Sequence, residues 1–139
     1  MHLLIEMGDK IEKKGRFFRR SNKDSKWIEV KKSVWRRDRS DKILKILTVK
    51  ELLLLKKHSD KRLLKILDVS HIFPVSLYPS LTYDLDNLVL LNRWSHNNLD
   101  NMRCPLTGEP IDQETREEWW KRLIGSETFV KLQEKIYTN

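Results

Sequence analysis

The stretch DVSHIFPVSLYPSLTYDLDNLVLLNRWSHNNLD, residues 68–100, decides the predicted fold and holds two of the four histidines. An apolar run over residues 63–70 leads into it, ends at His71 and has the composition of a β-strand. A second apolar run, residues 88–91, follows Asn87 and predicts a second strand. The two runs together predict a β-hairpin.

The eight residues after the second run, RWSHNNLD, are predicted to form a short helix from Arg93 to Asp100. Positions four apart share one face of a helix, so His96 and Asp100 are expected to point the same way. His71, at the end of the first strand, then faces them across a small cleft. The pattern therefore predicts a site that joins a strand imidazole to a helical imidazole–carboxylate pair.

These residues resemble the HNH nuclease family, the ββα-metal finger. The family has a His at the end of the first strand, an Asn opening the second, and a metal-binding His nine residues later. His71, Asn87 and His96 hold these places. In the colicin-type members another ligand follows one helical turn later, and Asp100 holds that place. The resemblance is specific because identity, order and spacing agree over about thirty residues, roughly a quarter of the chain.

The resemblance implies an α+β fold with a small ββα-metal core (HNH, His-Me finger) over about residues 62–102 and flanking α-helices. We divide the chain into a basic N-terminal arm, residues 1–26, and an HNH nuclease domain, residues 27–139, with C-terminal helices over 112–138. Many HNH proteins carry two CxxC pairs around a structural zinc. Cys104 is the only cysteine here, so core packing is expected to replace that zinc.

The activity implied by the resemblance is metal-dependent hydrolysis of DNA phosphodiester bonds. His71 is the expected general base, because an imidazole near its ordinary pKa takes a proton from water at neutral pH. His96 and Asp100 are the expected ligands of a divalent cation that neutralises charge on the phosphate. Magnesium is expected first, although manganese, nickel and zinc accept imidazole more readily. Asn87 resembles the family residue that pins the connecting loop and so holds the base.

Two residues of the first strand are further candidates for metal ligands. The residue before the base is commonly an acidic or imidazole ligand in the family, and here it is Ser70, a weak ligand. Asp68, two residues earlier on the same strand face, is the other candidate, directly or through water. Arg93 is expected either to clamp the scissile phosphate or to form a surface salt bridge.

The distribution of charge predicts a polyanionic partner. The chain has a formal net charge of +8, with 16 Lys and Arg against 5 Asp and Glu over residues 10–50, and 7 against 10 over residues 84–139. We expect the basic half to follow the phosphate backbone of DNA, the alternative being a solvated basic surface. Besides Arg93, the expected DNA-binding residues are Arg19 and Arg20 in the arm and Lys31, Lys32, Arg36 and Arg37 on an amphipathic helix. That helix is predicted to begin near Trp27. In the alternative interpretation, Trp27 and Trp35 pack in the core and the charged residues are only solvated.

Caps and periodicity predict the elements before the hairpin. Residues 43–47 form a short apolar run consistent with a strand. Thr48 and Glu51 fit a capping box that starts a helix running to about His58. Its four consecutive leucines, residues 52–55, predict cover on most sides.

The C-terminal part is predicted to hold two helices. Asp112 caps the first, over residues 113–124, and Ser126 starts the second. Trp119 and Trp120 are adjacent, so at most one is expected to point straight into the core. The other is expected to cover a neighbouring element, with a dimer contact as the alternative.

No stretch of the sequence approaches the length of a transmembrane helix, and residues 1–6 do not resemble a signal peptide. We therefore expect no membrane partner and an intracellular location, in a host cytoplasm or at the nucleoid, as suits a phage-type enzyme. One ββα site cuts one strand, so double-strand cutting requires a homodimer or sequential nicks. The alternatives to an endonuclease are a non-catalytic DNA-binding protein on an HNH scaffold and an RNA-binding or nucleic-acid assembly protein.

Overall fold

A computed structural model describes residues 22–138, and it has the predicted α+β class. The helices are α1 Asn22–Asp38, α2 Lys42–Ile46, α3 Val49–His58, α4 Lys61–Leu64, α5 Arg93–Asp100, α6 Gln113–Ile124 and α7 Ser126–Thr138. The strands are β1 Leu67–His71 and β2 Leu88–Asn92, and two short 3-10 turns, Pro79–Leu81 and Leu85–Asn87, lie between them.

The two strands form an antiparallel pair in which His71 lies opposite Leu88 and Leu67 lies opposite Asn92. Helix α5 follows β2 without a loop, because the Asn92 side chain accepts a hydrogen bond from the backbone N–H of Ser95 and so caps the helix. The hairpin and the short helix were both expected from the sequence. Their direct junction fixes the direction of the helix relative to the strands.

Strand β2 is buried along its whole length because its two faces meet different clusters of the core. Side chains alternate along a strand, so Val89 and Leu91 point into the larger cluster, with Phe129 and Trp120. Leu88 and Leu90 point the other way and pack with Val34 of helix α1 and Val69 of β1 in a smaller cluster. A strand with two buried faces has a continuous apolar sequence, as this one does.

The outer edge of β2 is closed by side chains instead of a third strand. The Asp38 carboxylate accepts from the backbone N–H of Leu90 at 3.0 Å, and the Asp41 carboxylate accepts from that of Asn92 at 3.1 Å. Arg37 donates to the carbonyl of Leu88. These contacts satisfy the backbone groups that an edge strand leaves unpaired, and they fix helix α1 against the sheet.

The strand predicted over residues 43–47 is wrong, because residues 43–46 belong to helix α2 and Leu47 is the residue that ends it. The Asp41 side chain accepts from the backbone N–H of Ile43 and caps this helix. Ile43 is fully buried whereas Leu44 is exposed. A run this short, with four apolar residues around Lys45, does not distinguish a strand from a helix, and the Asp41 cap favours the helix.

The start of the first strand is also corrected. Leu63 and Leu64 belong to the helical turn α4, in which the Asp60 side chain accepts from the backbone N–H groups of Arg62 and Leu63. The strand itself begins at Leu67 and ends, as expected, at His71. The predicted run therefore contained the end of a helix as well as a strand.

The capping box of helix α3 is confirmed, since the side chains of Thr48 and Glu51 each bond the other's backbone N–H. The helix ends at His58, which is exposed. The expected cover of its leucines is wrong in part: Leu55 is fully buried, but Leu53 is 62% exposed. The helix therefore lies on the surface with one face in the core.

The C-terminal helices have the predicted bounds, and Asp112 caps α6 by accepting from the backbone N–H of Thr115. The expectation that only one tryptophan points inward is corrected, because Trp119 and Trp120 are 8% and 6% exposed. Helix α6 packs against α2 on one side and α7 on another, so adjacent positions both find cover. The cover is intrachain, as favoured from the sequence.

Most of the predicted arm, including Arg19 and Arg20, lies outside the described residues. The expected boundary between residues 26 and 27 falls inside helix α1, which begins at Asn22. Within residues 22–138, no helix combines the length and the apolar composition needed to cross a membrane.

An ion pair between helices α3 and α6 predicts a pH-dependent part of the stability. Arg122 donates to both carboxylate oxygens of Glu51, at 2.9 and 2.8 Å, and this lowers the pKa of Glu51 to about 2. Since an unfolded Glu titrates near 4.3, the contribution is complete above that pH and is lost as the pH falls through about 2. Both side chains are partly exposed, so screening limits it to about 1 kcal/mol.

We therefore expect Glu51→Gln to lower the free energy of unfolding by about 1 kcal/mol at neutral pH, with the difference from wild type vanishing near pH 2. Urea denaturation over this pH range measures it. Glu127→Gln is the matched control, because Glu127 is exposed and lies 3.9 Å from Lys131. Equal losses in the two variants would contradict the prediction.

Candidate active site

The predicted site residues His71, His96 and Asp100 line one cavity of about 570 Å³. It is bounded by the end of strand β1, helix α5, and side chains from helices α1 and α6, among them Trp27, Arg116 and Trp120. The sequence expectation required the strand imidazole and the helical imidazole–carboxylate pair to face a common space. The structure places them so.

His71 is held by a carbonyl and by an aromatic ring. Its Nε2 lies 3.1 Å from the backbone oxygen of Thr82, and a carbonyl only accepts, so Nε2 carries the hydrogen and Nδ1 keeps a free lone pair. Trp27 stacks on the imidazole with ring centroids 5.3 Å apart and planes inclined by 12°. Burial lowers the pKa of His71 below its usual value. The ring is therefore neutral at pH 7 and able to accept a proton at Nδ1.

His96, unlike His71, is positively charged at pH 7, because it lies between two carboxylates. Its Nδ1 is 3.0 Å from Asp68 and its Nε2 is 3.0 Å from Asp100. Burial opposes the charged form, but the hydrogen bonds to Asp100 and Asp68 outweigh it and raise the pKa of His96 to about 9. Asp100 is 57% exposed at its side chain, so the Nε2 end of this pair reaches solvent.

Asp68 lies behind His96, away from the open end of the pair. It is only 2% exposed and accepts from Nε and Nη2 of Arg93, at 3.0 and 2.8 Å, as well as from His96. Burial raises the pKa of Asp68, but the hydrogen bonds from His96 and Arg93 prevail and lower it to about 2. The carboxylate is therefore ionised, and it fixes the orientation of the His96 ring.

Arg93 forms a salt bridge, but a buried one, with its side chain 11% exposed. The expectation of a surface salt bridge is corrected in this respect, because the guanidinium extends from the start of helix α5 to the buried carboxylate of Asp68 in strand β1. Its charge is balanced by Asp68. Arg93 therefore connects the strand to the helix.

Asn87 makes the contacts expected of a loop-pinning residue. It is fully buried, accepts from the backbone N–H of Phe73 at 2.7 Å, and donates to the carbonyls of Phe73 and Leu81 at 3.1 and 3.3 Å. The Asn87 side chain therefore ties the start of the loop, at Phe73, to Leu81, which immediately precedes Thr82. Ser70 is buried, and its hydroxyl has no hydrogen-bond partner among the described residues.

The basic residues predicted on helix α1 fall into two groups. Lys32 and Arg36 are exposed. Lys31 is buried, with its ammonium 5.5 Å from the centre of the Trp27 ring, and Arg37 bonds Asp38 and the edge of β2. Lys32 and Arg36 are thus available to a phosphate backbone, whereas the buried Lys31 and the exposed Arg37 also hold the helix in place.

The donors in the cavity fit a hydrated divalent ion better than a structural metal. Among residues 22–138 no group of three or more His, Cys, Asp or Glu side chains is placed to hold a metal. Once His96 has lost the proton at Nε2, it and Asp100 offer one nitrogen and one carboxylate oxygen beside open space. Two such donors suit an ion that keeps several waters, whereas a structural zinc takes four protein ligands.

The sequence did not reveal three contacts of the site. Trp27 was predicted as a helix residue or core anchor, yet it covers the proposed base. Thr82 contributes through its backbone, which no residue type signals. Arg116 comes from helix α6, beyond the stretch that resembles the HNH family.

Comparisons of the chain with protein-family models, with curated proteins and with solved structures returned no match.

The stacking of Trp27 on His71 predicts a measurable change in titration. Trp27→Ala exposes the imidazole, so we expect the pKa of His71 to rise toward its ordinary value, since burial is what lowers it. NMR titration of the histidine ring signals measures this. Trp35→Ala is the control, because Trp35 is on the same helix and 39% exposed. A His71 pKa that is unchanged by Trp27→Ala, or equally raised by Trp35→Ala, would count against this arrangement.

Proposed function

We propose that this chain is an HNH endonuclease of the ββα-metal (His-Me finger) type, which hydrolyses phosphodiester bonds of DNA with the help of a divalent cation. One observation carries the proposal: a neutral imidazole with a free Nδ1 and an imidazole–carboxylate pair line the same cavity. The first comes from a strand end and the second from the helix that follows the hairpin.

His71 acts in this proposal as the general base. Its Nδ1 takes a proton from the attacking water, and the ring is already neutral at pH 7, as that role requires. The imidazolium that forms keeps its Nε2–H bond to the carbonyl of Thr82. The face of Trp27 lies against the same ring and limits its rotation.

His96 and Asp100 hold the cation in this proposal. A divalent ion bound there neutralises charge on the phosphate and on the departing 3′ oxygen. The His96 ring binds through Nε2, because Nδ1–H donates to Asp68 and so fixes the tautomer. His96 would have to lose the proton that Nε2 shares with Asp100 in order to hold such an ion, so binding would be favoured as the pH rises. Magnesium suits the carboxylate and its waters, while manganese, nickel or zinc suit the imidazole better.

DNA is the proposed substrate because helix α1, which reaches the cavity wall through Trp27, carries several basic side chains. The ammonium of Lys31 lies 5.5 Å from the centre of the Trp27 ring, and Lys32 and Arg36 are exposed on another face of the helix. Positive charge of this kind attracts a phosphate backbone. All the proposed catalytic groups come from one chain, so one chain nicks one strand, and cutting both strands takes a homodimer or two successive nicks.

The second candidate is a non-catalytic DNA-binding or nucleic-acid assembly protein on the same scaffold. A specific observation favours it: His96 is protonated at pH 7 and bonded to carboxylates at both nitrogens. In that case the His96 pair is a structural link between strand and helix. The basic surface is then the functional part.

Nicking of a supercoiled plasmid separates the two candidates. We expect purified protein to nick with Mg²⁺ or Mn²⁺ and to stop with chelator. We expect His71→Ala to lower the rate by about 10²–10⁴-fold while DNA binding is retained, because it removes the general base alone. His58→Ala is the control and keeps full activity, since His58 is exposed at the end of helix α3.

Two results would decide against the proposal. If wild-type protein binds DNA but cuts with none of these metals, the second candidate stands. If His71→Ala nicks as fast as wild type, the assigned base is wrong.

A further inference from the structure

We propose that Arg116 of helix α6 forms a phosphate-binding subsite of the cavity, which holds the DNA backbone next to the scissile bond. The assignment rests on the proposed function for the identity of the substrate. The site itself follows from the surroundings of the guanidinium. Arg116 is neither the general base nor a cation ligand in the mechanism proposed above.

The guanidinium is fixed in position before any ligand arrives. Its Nη1 donates to the carbonyl of Leu99 at 2.9 Å, and its plane lies over the Trp120 ring at 4.5 Å from the centre. Its Nε is buried without a hydrogen-bond partner among the described residues. Arginine presents donors in a rigid fork, so a group held at one nitrogen directs the others. Little conformational entropy is then lost on binding an anion.

The charge of Arg116 has no ion-pair partner in residues 22–138, in contrast to the other buried or half-buried arginines. Arg93 pairs with Asp68 and Arg122 with Glu51. Asp100 and Glu117 act on Arg116 through their fields alone, while burial lowers its pKa. A partly buried cation without a direct ion-pair partner is costly. A phosphate in the cavity would supply that partner.

The position of Arg116 indicates a strand of nucleic acid and not a lone phosphate. Arg116 lies on the wall shared by the main cavity and a second groove of about 260 Å³, together with Pro74 and Trp120. Tyr78 and Tyr137 line that groove. Aromatic side chains take nucleobases or sugars by stacking. A chain with its phosphate on Arg116 therefore reaches both the base in the first cavity and an aromatic surface in the second.

Salt-dependent DNA binding tests this without any cleavage. A fluorescent DNA duplex is titrated with protein in chelator, between about 50 and 200 mM salt, by anisotropy. We expect Arg116→Gln to weaken binding about tenfold and to reduce the slope of log K against log salt by about 0.9, the value for one lost phosphate contact. Arg116→Lys keeps the charge and is expected to keep the slope.

Arg103→Gln is the matched control, because Arg103 is exposed and also donates to one backbone carbonyl, that of Gly108. The control is expected to bind like wild type. If Arg116→Gln matches the control, or if Arg116→Lys binds as weakly as Arg116→Gln at equal thermal stability, the phosphate subsite is overturned. If wild-type protein binds no DNA, both proposals fall. If wild type binds but never nicks while Arg116→Gln loses the slope, the subsite stands and the nuclease proposal falls.

Discussion

The buried carboxylate of Asp68 is the interaction on which the arrangement of the site depends. It joins strand β1 to helix α5 by accepting from Arg93 and from His96, and it is 2% exposed. Removing one partner of such a buried pair costs about 3–5 kcal/mol, because the other charge stays behind without compensation. The helix is therefore locked against the strand at two points. His71, three residues beyond Asp68 on that strand, is placed relative to His96 by the same lock.

The other half of the cavity depends on how helix α1 is held. Asp38 and Arg37 bond the outer edge of β2, so side chains replace the third strand that the sheet lacks within the described residues. Because these bonds are at the end of α1, they also fix its earlier turns. Trp27 is thereby placed on the face of His71. The same contacts that protect an edge strand thus position the ring that covers the proposed base.

The sequence predicted those parts of the molecule that depend on spacing along the chain. The hairpin, the helix that ends at Asp100 and the capping box of α3 follow from local patterns. The strand predicted from the short apolar run at residues 43–47 was wrong, because the helix there depends on one capping side chain, that of Asp41. The partnership of Asp68 with Arg93 spans 25 residues, and the arrival of Arg116 at the cavity depends on the packing of another helix. Such contacts depend on the tertiary packing of distant segments, so no local pattern in the sequence predicts them.

The two histidines of the cavity show why one arrangement suits both proposed roles. His71 has a carbonyl partner and is neutral, whereas His96 has carboxylate partners and is charged. Environments that push the pKa values of neighbouring groups apart are how acid–base roles are divided in one site. Burial is the main cause that lowers the pKa of His71, and the positive charge at His96 lowers it further, whereas the carboxylate of Asp100 raises it. A divalent cation held by His96 and Asp100 would bring positive charge to the same region as the proton on His96. In the proposed mechanism the base would therefore stay neutral in either state, and holding the cation and accepting a proton would not interfere.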